Sequence, residues 1–248
     1  MNVNERKRYE RDGYIILKNA VDKKECQRFI NEAVIPALKK RNINLTNRKQ
    51  FKRRKGDMIL GNNNSNHPIN KKYKDSRWPA LYNSSKLINS LNEIHGLKRW
   101  SWYDVTEEGQ GWIHLRYPNT KKNKWEIPKY GWHVDGEDNG KLDPYKSVTV
   151  LPLVTKIGKG YGGTALCRGS HKHINYWIHK LQNREDIYDY IYRKIDKKDI
   201  IEANGDAGDI LIMHPHLVHA SSDALNKPYI PVRVTFNMGV KNTNKCLV

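Results

Sequence analysis

The stretch Asp209–Ser221 reads DILIMHPHLVHAS, an apolar run followed by three histidines. Four consecutive apolar residues after an aspartate predict a short buried strand. Further strand-like runs occur at Ser147–Val154, Gly163–Cys167 and Val232–Met238, and Gly, Pro, Asn and Asp separate them. Several short strands divided by turn residues are typical of an antiparallel sandwich or barrel.

The chain has no internal repeat and no obvious linker, so its 248 residues are predicted to form a single domain, 1–248. Residues 1–98 are predicted to be a basic, partly helical N-terminal part. In it, Asp22 can cap a helix, with Glu25 as a capping-box partner. Residues 99–240 are predicted to form the β-barrel core, with a helical insert at about 173–198.

The positive charge lies mostly in the N-terminal part. The chain has 45 Lys and Arg against 26 Asp and Glu, a formal net charge of +19. Residues 1–80 hold 21 of these basic residues and 8 of the acidic ones. Residues 39–55, with the densest run at Arg48–Lys55, could contact nucleic acid, an anionic substrate or an acidic partner. The alternative is a solvent-facing segment without a ligand.

Several classes of protein do not fit the sequence. It has no apolar run of 18 residues, so we expect no membrane span, and its N-terminus does not resemble a signal peptide. Three widely spaced cysteines, Cys26, Cys167 and Cys246, favour neither a disulfide scaffold nor a cysteine zinc site. We therefore expect an intracellular, cytoplasmic protein. A nuclear location is the alternative, because the basic run resembles a nuclear-localisation patch.

Two segments carry residues that bind metals. In a strand, His133 and Asp135 of Gly131–Gly136 (GWHVDG) would face the same side. A third ligand can come from the late histidines of Asp209–Ser221. Two histidines and one carboxylate form the facial triad of non-haem Fe(II) oxygenases, which leaves positions open for a co-substrate and dioxygen. By itself the His-X-Asp pattern is also compatible with a polar surface strand.

A basic residue follows in the last apolar strand. Arg233 comes fourteen residues after His219, and a charge buried in such a strand needs an anionic partner. The distal carboxylate of 2-oxoglutarate would provide it. The ordered set of His-X-Asp, a glycine-rich strand pair, Gly-Asp, His and Arg strengthens the prediction of a metal site.

Four segments together resemble the phytanoyl-CoA dioxygenase family of Fe(II)- and 2-oxoglutarate-dependent oxygenases. They are Arg11–Leu17, Trp132–Gly136, Gly162–His171 and Gly208–Ser221, the last continued by Asn226 and Arg233. They occur in the family's order within residues 11–239. The resemblance implies a mainly β fold with flanking helices, a double-stranded β-helix of the jelly-roll or cupin-like type.

The resemblance also implies roles for individual positions. His133, Asp135 and His219 would bind Fe(II) and form the catalytic centre. Arg233 would pair with the distal carboxylate of 2-oxoglutarate, and Ser221 could add a hydroxyl donor. The further residues implied to line the co-substrate pocket are Leu115, Tyr117 and Thr149, with Leu151. A slip of one residue would turn each of these side chains to the other face.

The sequence departs from the common family pattern at two places. His214 and His216 compete with His219 as the late ligand, and we favour His219 because Ala-Ser and then Asn226 follow it. The gap from His219 to Arg233 is longer than usual, which predicts an enlarged turn at Asn226–Pro231. If that turn reshapes the strand, the role of Arg233 changes with it.

Two further motif residues are interpreted as structural. Thr164 and His171 belong to the Gly-Gly-Thr and Gly-Ser-His signatures, in which glycines allow tight turns and close packing. A contact with the substrate or co-substrate is the alternative.

These patterns predict an Fe(II)- and 2-oxoglutarate-dependent dioxygenase that hydroxylates a C–H bond of an anionic small or medium-sized substrate with dioxygen. The carboxylate of Asp135 favours a hydroxylase, because halogenating relatives lack it. The alternative is a basic nucleic-acid-binding or nucleic-acid-modifying protein on the same barrel, active or inactive. A zinc hydrolase built on the late histidines explains neither Arg233 nor the Gly-Ser-His motif.

Overall fold

The structure, a computed structural model, describes most of the chain. The described residues are 1–40, 42–51, 57–60, 79–103, 112–120, 122–138, 141–142, 146–174, 193–194 and 196–243. Residues 175–192 and 195, most of the helical insert expected at about 173–198, lie outside this set, so the insert stays a prediction. Residues 41 and 52–56 of the basic segment also lie outside it.

The N-terminal part begins with helix α1, Val3–Asp12, which Asn2 and Glu5 close with a reciprocal capping box. Strand β1, Tyr14–Leu17, follows, and then helix α2, Lys23–Phe29. Asp22 caps α2 as expected, accepting a hydrogen bond from the Lys24 N–H. The capping-box role expected for Glu25 was wrong, because its carboxylate binds the Arg28 guanidinium.

The remaining elements are mostly strands, which confirms a mainly β fold with flanking helices. A π-helical turn at Ile30–Val34 joins α2 to α3, and two 3-10 turns lie at Ser170–Lys172 and Lys197–Asp199. The helices are α3 Ile35–Lys39, α4 Arg48–Phe51, α5 Pro79–Tyr82 and α6 Ser85–His95. The strands are β2 Asp57–Leu60, β3 Trp100–Trp102, β4 Trp112–Arg116, β5 Pro118–Thr120, β6 Glu137–Asp138, β7 Lys141–Leu142, β8 Lys146–Pro152, β9 Thr164–Cys167, β10 Ile200–Glu202, β11 Ile210–Met213, β12 His219–Ser221, β13 Ala224–Leu225 and β14 Arg233–Asn242.

Two antiparallel sheets form the barrel. Among the described strands, the larger sheet has the order β1-β11-β8-β14-β4-β2, and β3 pairs with the far end of β14. The smaller sheet has the order β10-β9-β12. Short strand pairs, β13 with β5 and β6 with β7, complete the described pairings. Within the described ranges, no helix has the length and apolar character needed to cross a membrane.

The larger sheet buries both of its faces, and its alternating side chains separate them. Toward the helices, β14 places Val234 and Phe236 in the main core with Phe29 of α2. Toward the smaller sheet, Leu211 and Met213 of β11 pack in a second apolar cluster. The strands of the larger sheet therefore place alternate residues in the main core and the others in the barrel interior. The candidate site lies in that interior.

Candidate active site

Three side chains meet between the two sheets, and we call them the triad: His133, Asp135 and His219. Their ligand-type atoms all lie within 4.8 Å of one another. Asp135 Oδ1 is 3.8 Å from His133 Nε2 and 3.6 Å from His219 Nε2. His133 and His219 exchange backbone hydrogen bonds of 2.9 Å, so a β-bridge fixes the two histidines side by side. In the described part of the chain, this is the group with the spacing of a metal site.

Both imidazoles of the triad are oriented by the backbone. His133 Nδ1 donates to the Gly131 carbonyl, and His219 Nδ1 donates to the Leu217 carbonyl, each at 2.9 Å. A carbonyl only accepts, so each neutral ring carries its proton on Nδ1 and presents the lone pair of Nε2. This is how proteins orient a metal-binding histidine.

The carboxylate of Asp135 is oriented in the same way. Its Oδ2 accepts a 2.6 Å hydrogen bond from Thr149 Oγ1, which leaves Oδ1 facing the two imidazoles. Burial opposes ionisation of this carboxyl group, but its attraction to the two histidines in their protonated form, which they take in acid, outweighs burial. With smaller contributions from Lys146 and the Thr149 hydroxyl, they lower the pKa of Asp135 to about 2. Asp135 is therefore an anion at neutral pH.

The second histidine of the triad is held neutral. Burial lowers the pKa of His219, although the nearby Asp135 carboxylate opposes the shift. A neutral imidazole can donate its Nε2 lone pair to a cation, and an imidazolium cannot. Two oriented imidazole nitrogens and one carboxylate oxygen form the donor set that suits Fe(II) with positions left open.

A cavity of about 300 Å³ opens from the triad. It is lined by residues from both sheets and the connecting segments. They are Trp112, His114, His133, Asp135, Thr149, Leu151, Thr164, Met213, His219, Ser221, Arg233, Thr235 and Asn237. The volume is at the small end of the range for ligand sites.

Arg233 lies in this cavity despite the long segment before it. It begins β14, is 3% exposed, and donates from Nη1 to the Gly162 carbonyl at 2.6 Å. The intervening segment contributes β13 and a turn, and Ile230 anchors it in the interior with no exposed surface. The structure therefore brings Arg233 and the triad to the same cavity.

The glycine-rich segment before β9 holds this arginine in place. Glu202, which is 8% exposed, accepts hydrogen bonds from the backbone N–H groups of Gly160, Gly162 and Gly163. Gly162 has a φ of +77°, and a Cβ there would lie 2.7 Å from Arg116 Cγ. A side chain at this position is therefore excluded by conformation and by space.

The residues expected to bind the co-substrate fall into two groups. Ser221 and Thr149 line the cavity with Arg233. Leu115 and Tyr117 do not, because both are fully buried in the main core on the opposite face of the sheet. The expected phase of this strand was wrong by one residue.

Several lining residues were not assigned to the cavity from the sequence, which left open whether His114 faces the pocket or the outer side. Trp112 and His114 are on the cavity face of β4, directly opposite Asn237 and Thr235 of β14. The signal was the two-residue period: starting from Arg233, positions 235 and 237 share its face. The register between the two strands then assigns their partners on β4.

The competing histidines form a separate group, the histidine cluster: His171, His214 and His216. Ring centroids are 4.9 Å apart for His171 and His214, and 5.2 Å for His214 and His216. The cluster packs beside α1, where His171 Nε2 lies 3.2 Å from the Glu10 carbonyl. Neither His214 nor His216 belongs to the triad or lines its cavity.

The Gly-Gly-Thr and Gly-Ser-His signatures lie in different places relative to the cavity. Thr164 lines the cavity opposite Ser221 in the smaller sheet. His171 contacts α1 instead, and Ser170 Oγ accepts a 2.9 Å hydrogen bond from the Val218 N–H. The Gly-Ser-His segment therefore supports the residue just before His219.

Comparison with protein families places the chain. The family profile described as phytanoyl-CoA dioxygenase (PhyH) matches residues 9–227. The chain belongs to this family. A search among curated proteins finds no significant match.

Solved structures resemble the whole chain at low sequence identity. SnoK from nogalamycin biosynthesis, described as a non-heme alpha-ketoglutarate-dependent carbocyclase, aligns with a TM-score of 0.65 and 14% identity, covering 98% of this chain and 85% of SnoK. EctD from S. alaskensis with bound Fe aligns with a TM-score of 0.60 and 14% identity, covering 98% of this chain and 77% of EctD. HygX from Streptomyces hygroscopicus with nickel and 2-oxoglutarate bound aligns with a TM-score of 0.60 and 12% identity, covering 98% of this chain and 88% of HygX. These similarities confirm the double-stranded β-helix fold.

Proposed function

We propose that the chain is an Fe(II)- and 2-oxoglutarate-dependent oxygenase that hydroxylates a C–H bond of a small anionic substrate. The observation that carries the proposal is the orientation of the triad. Each histidine donates its Nδ1 proton to a backbone carbonyl, and Asp135 Oδ2 accepts a hydrogen bond from the Thr149 hydroxyl. The three remaining atoms converge on one point, and family membership indicates the chemistry.

Each element of the cavity has a role in this proposal. His133, Asp135 and His219 would hold Fe(II), which supplies the activation of dioxygen when 2-oxoglutarate is bound. Arg233, buried at the start of β14 and part of the cavity lining, would pair through its guanidinium with the distal carboxylate of 2-oxoglutarate. Ser221, on the same face as His219, would donate its hydroxyl hydrogen to that carboxylate.

Part of the cavity wall is apolar. Leu151, Met213 and Trp112 line the cavity between the charged groups, and an apolar wall strengthens the electrostatic interactions inside it. In the overall reaction, 2-oxoglutarate, dioxygen and a C–H substrate give succinate, carbon dioxide and the alcohol. One oxygen atom enters succinate and the other enters the product.

Hydroxylation is the outcome we favour, because the carboxylate of Asp135 occupies the ligand position that halogenating relatives leave to a halide. The fold alone does not dictate this outcome: SnoK is described as a carbocyclase and SnoN as an epimerase. The nucleic-acid alternative gains no support from EctD and HygX, whose structures hold Fe and nickel with 2-oxoglutarate.

The test is succinate formation from 2-oxoglutarate by the Fe(II)-loaded protein in air, first alone and then with small organic acids. We expect slow turnover without substrate and faster turnover with a correct one. His219→Gln should abolish both, because it removes a metal ligand. His214→Gln, the matched control from the histidine cluster, should retain them. Equal activity in the two variants would overturn the proposal.

A further inference from the structure

A β-bulge turns one lysine into the barrel. Gly239 of β14 pairs with Thr149 of β8, and Lys241 pairs with Lys146. Two residues of β8 therefore stand opposite one residue of β14, and the register shifts between them. Because of this extra residue, Lys146 lies on the same face as Thr149, although three positions separate them.

The two bulged residues face the other way. Ser147 Oγ lies 3.0 Å from His95 Nε2 of α6, and Val148 packs in the main core. Without the bulge, strict alternation would place Lys146 with Val148, toward the helices. Bulges of this kind often re-aim a side chain beside a functional site.

Lys146 enters a second cavity of about 310 Å³ that adjoins the first. The two cavities share Trp112, Asp135, Thr149 and Asn237. Arg233 and Ser221, the proposed co-substrate residues, line only the first. The second cavity therefore reaches Asp135 from another side.

A second lysine stands beside Lys146, which is the lysine among the described lining residues of this cavity. Lys146 and Lys241 are cross-strand partners, and both ammonium groups lie over the Tyr103 ring, 4.8 and 5.3 Å from its centroid. Like charges directly opposite each other in a sheet repel, and the aromatic ring offsets that repulsion only in part. An anion bound at Lys146 would reduce the repulsion further.

We propose that the second cavity binds the primary substrate and that Lys146 binds an anionic group of it, a carboxylate or a phosphate. Trp112 would pack on the organic part, and the reacting carbon would lie toward the triad. This inference rests on the proposed function and deepens it. Among the described lining residues, Lys146 and Asp135 are the charged ones, and Asp135 is committed to the metal.

The test uses the protein loaded anaerobically with Fe(II) and 2-oxoglutarate, whose complex has a visible charge-transfer band. Phenylphosphonate and phenylacetate are the anionic probes, and benzyl alcohol is the neutral one. We expect an anion to shift the band without removing it. The anion concentration that gives half of the shift is its apparent affinity. Lys146→Met should weaken this affinity about 10-fold, a loss of about 1.4 kcal/mol. The more tightly binding anion identifies a phosphate-type or a carboxylate substrate.

Lys156→Met is the matched control. Lys156 is exposed, pairs with Asp206 and lines neither cavity, so its loss should leave the affinity unchanged. Three results would overturn the inference: a shift by benzyl alcohol as strong as by the anions, an equal shift in Lys146→Met, or loss of the band through displacement of 2-oxoglutarate. If the band never forms before a probe is added, the proposed function itself fails, and the inference fails with it.

Discussion

The triad and the histidine cluster are two groups of neighbouring histidines with different surroundings. The triad contains a carboxylate, and backbone carbonyls take both Nδ1 protons. The cluster contains no carboxylate, and its middle ring is engaged differently: His214 Nδ1 accepts a hydrogen bond from the His216 N–H at 3.1 Å. Proximity of imidazoles is therefore common to both groups. Orientation and a carboxylate distinguish the metal site.

The largest expected effect separates the two groups directly. His219→Ala removes one of three metal ligands, and we expect Fe(II) affinity to fall by more than about 100-fold, beyond the loss typical of residues that only orient a ligand. His214→Gln should leave it within about 2-fold. Equilibrium dialysis with Fe(II) under argon measures both. A similar loss in the two variants would show that the cluster takes part in metal binding.

The next effect concerns Arg233, which lines the triad's cavity and has no counterpart in the histidine cluster as defined. Arg233→Met should weaken 2-oxoglutarate binding by about 100-fold, since hydrogen bonds to charged groups contribute about 1.5–3 kcal/mol each. Fe(II) affinity should stay nearly unchanged. Calorimetric titration of the metal-loaded protein gives both constants, and Arg233→Lys should recover part of the loss. Unchanged 2-oxoglutarate affinity in Arg233→Met would refute the assignment.

A smaller effect tests the orientation of the carboxylate. Thr149→Val keeps the size of the side chain but removes the hydrogen bond to Asp135 Oδ2. We expect Fe(II) affinity to fall about 10- to 100-fold. Thr155→Val is the control, because Thr155 Oγ1 accepts from the Val234 N–H and does not line the cavity. Equal metal binding by wild type and Thr149→Val would mean that Asp135 needs no such support.

The smallest effect concerns the cluster. Burial lowers the pKa of His214 from 6.5 to about 3 and that of His216 to about 4. The unfolded chain therefore binds more protons than the folded one below pH 6.5, so stability is retained above that pH and lost as the pH falls. We expect Tm to decrease between pH 6.5 and about 4, and less steeply in His214→Gln. Parallel Tm profiles for both proteins would contradict this account.

The sequence was sufficient for most of the triad and for the fold. The i, i+2 spacing places His133 and Asp135 on one face of an extended segment, and the family's motif order indicates His219 over its two neighbours. The position of Arg233 in the cavity wall agrees with the sequence reasoning about an arginine in an apolar strand, and its role toward 2-oxoglutarate stays a prediction.

The remaining features depend on contacts between residues far apart in the sequence, which no local pattern predicts. Leu115 and Tyr117 were assigned to the wrong face because the phase of β4 follows from its pairing with β14. Lys146 reaches the cavity through a bulge that depends on the register of two distant strands. Glu202 belongs to no motif, and its role follows from three backbone N–H groups forty residues away.

The central claim is that the triad holds Fe(II) while Arg233 holds 2-oxoglutarate. The most direct measurement is anaerobic spectroscopy of the apo-protein, with Fe(II) added first and 2-oxoglutarate second. We predict a visible charge-transfer band that appears with the second addition, is absent in His133→Ala, and needs far more 2-oxoglutarate in Arg233→Met. A folded, iron-loaded protein that forms no band, or the same band in all three proteins, would contradict the claim.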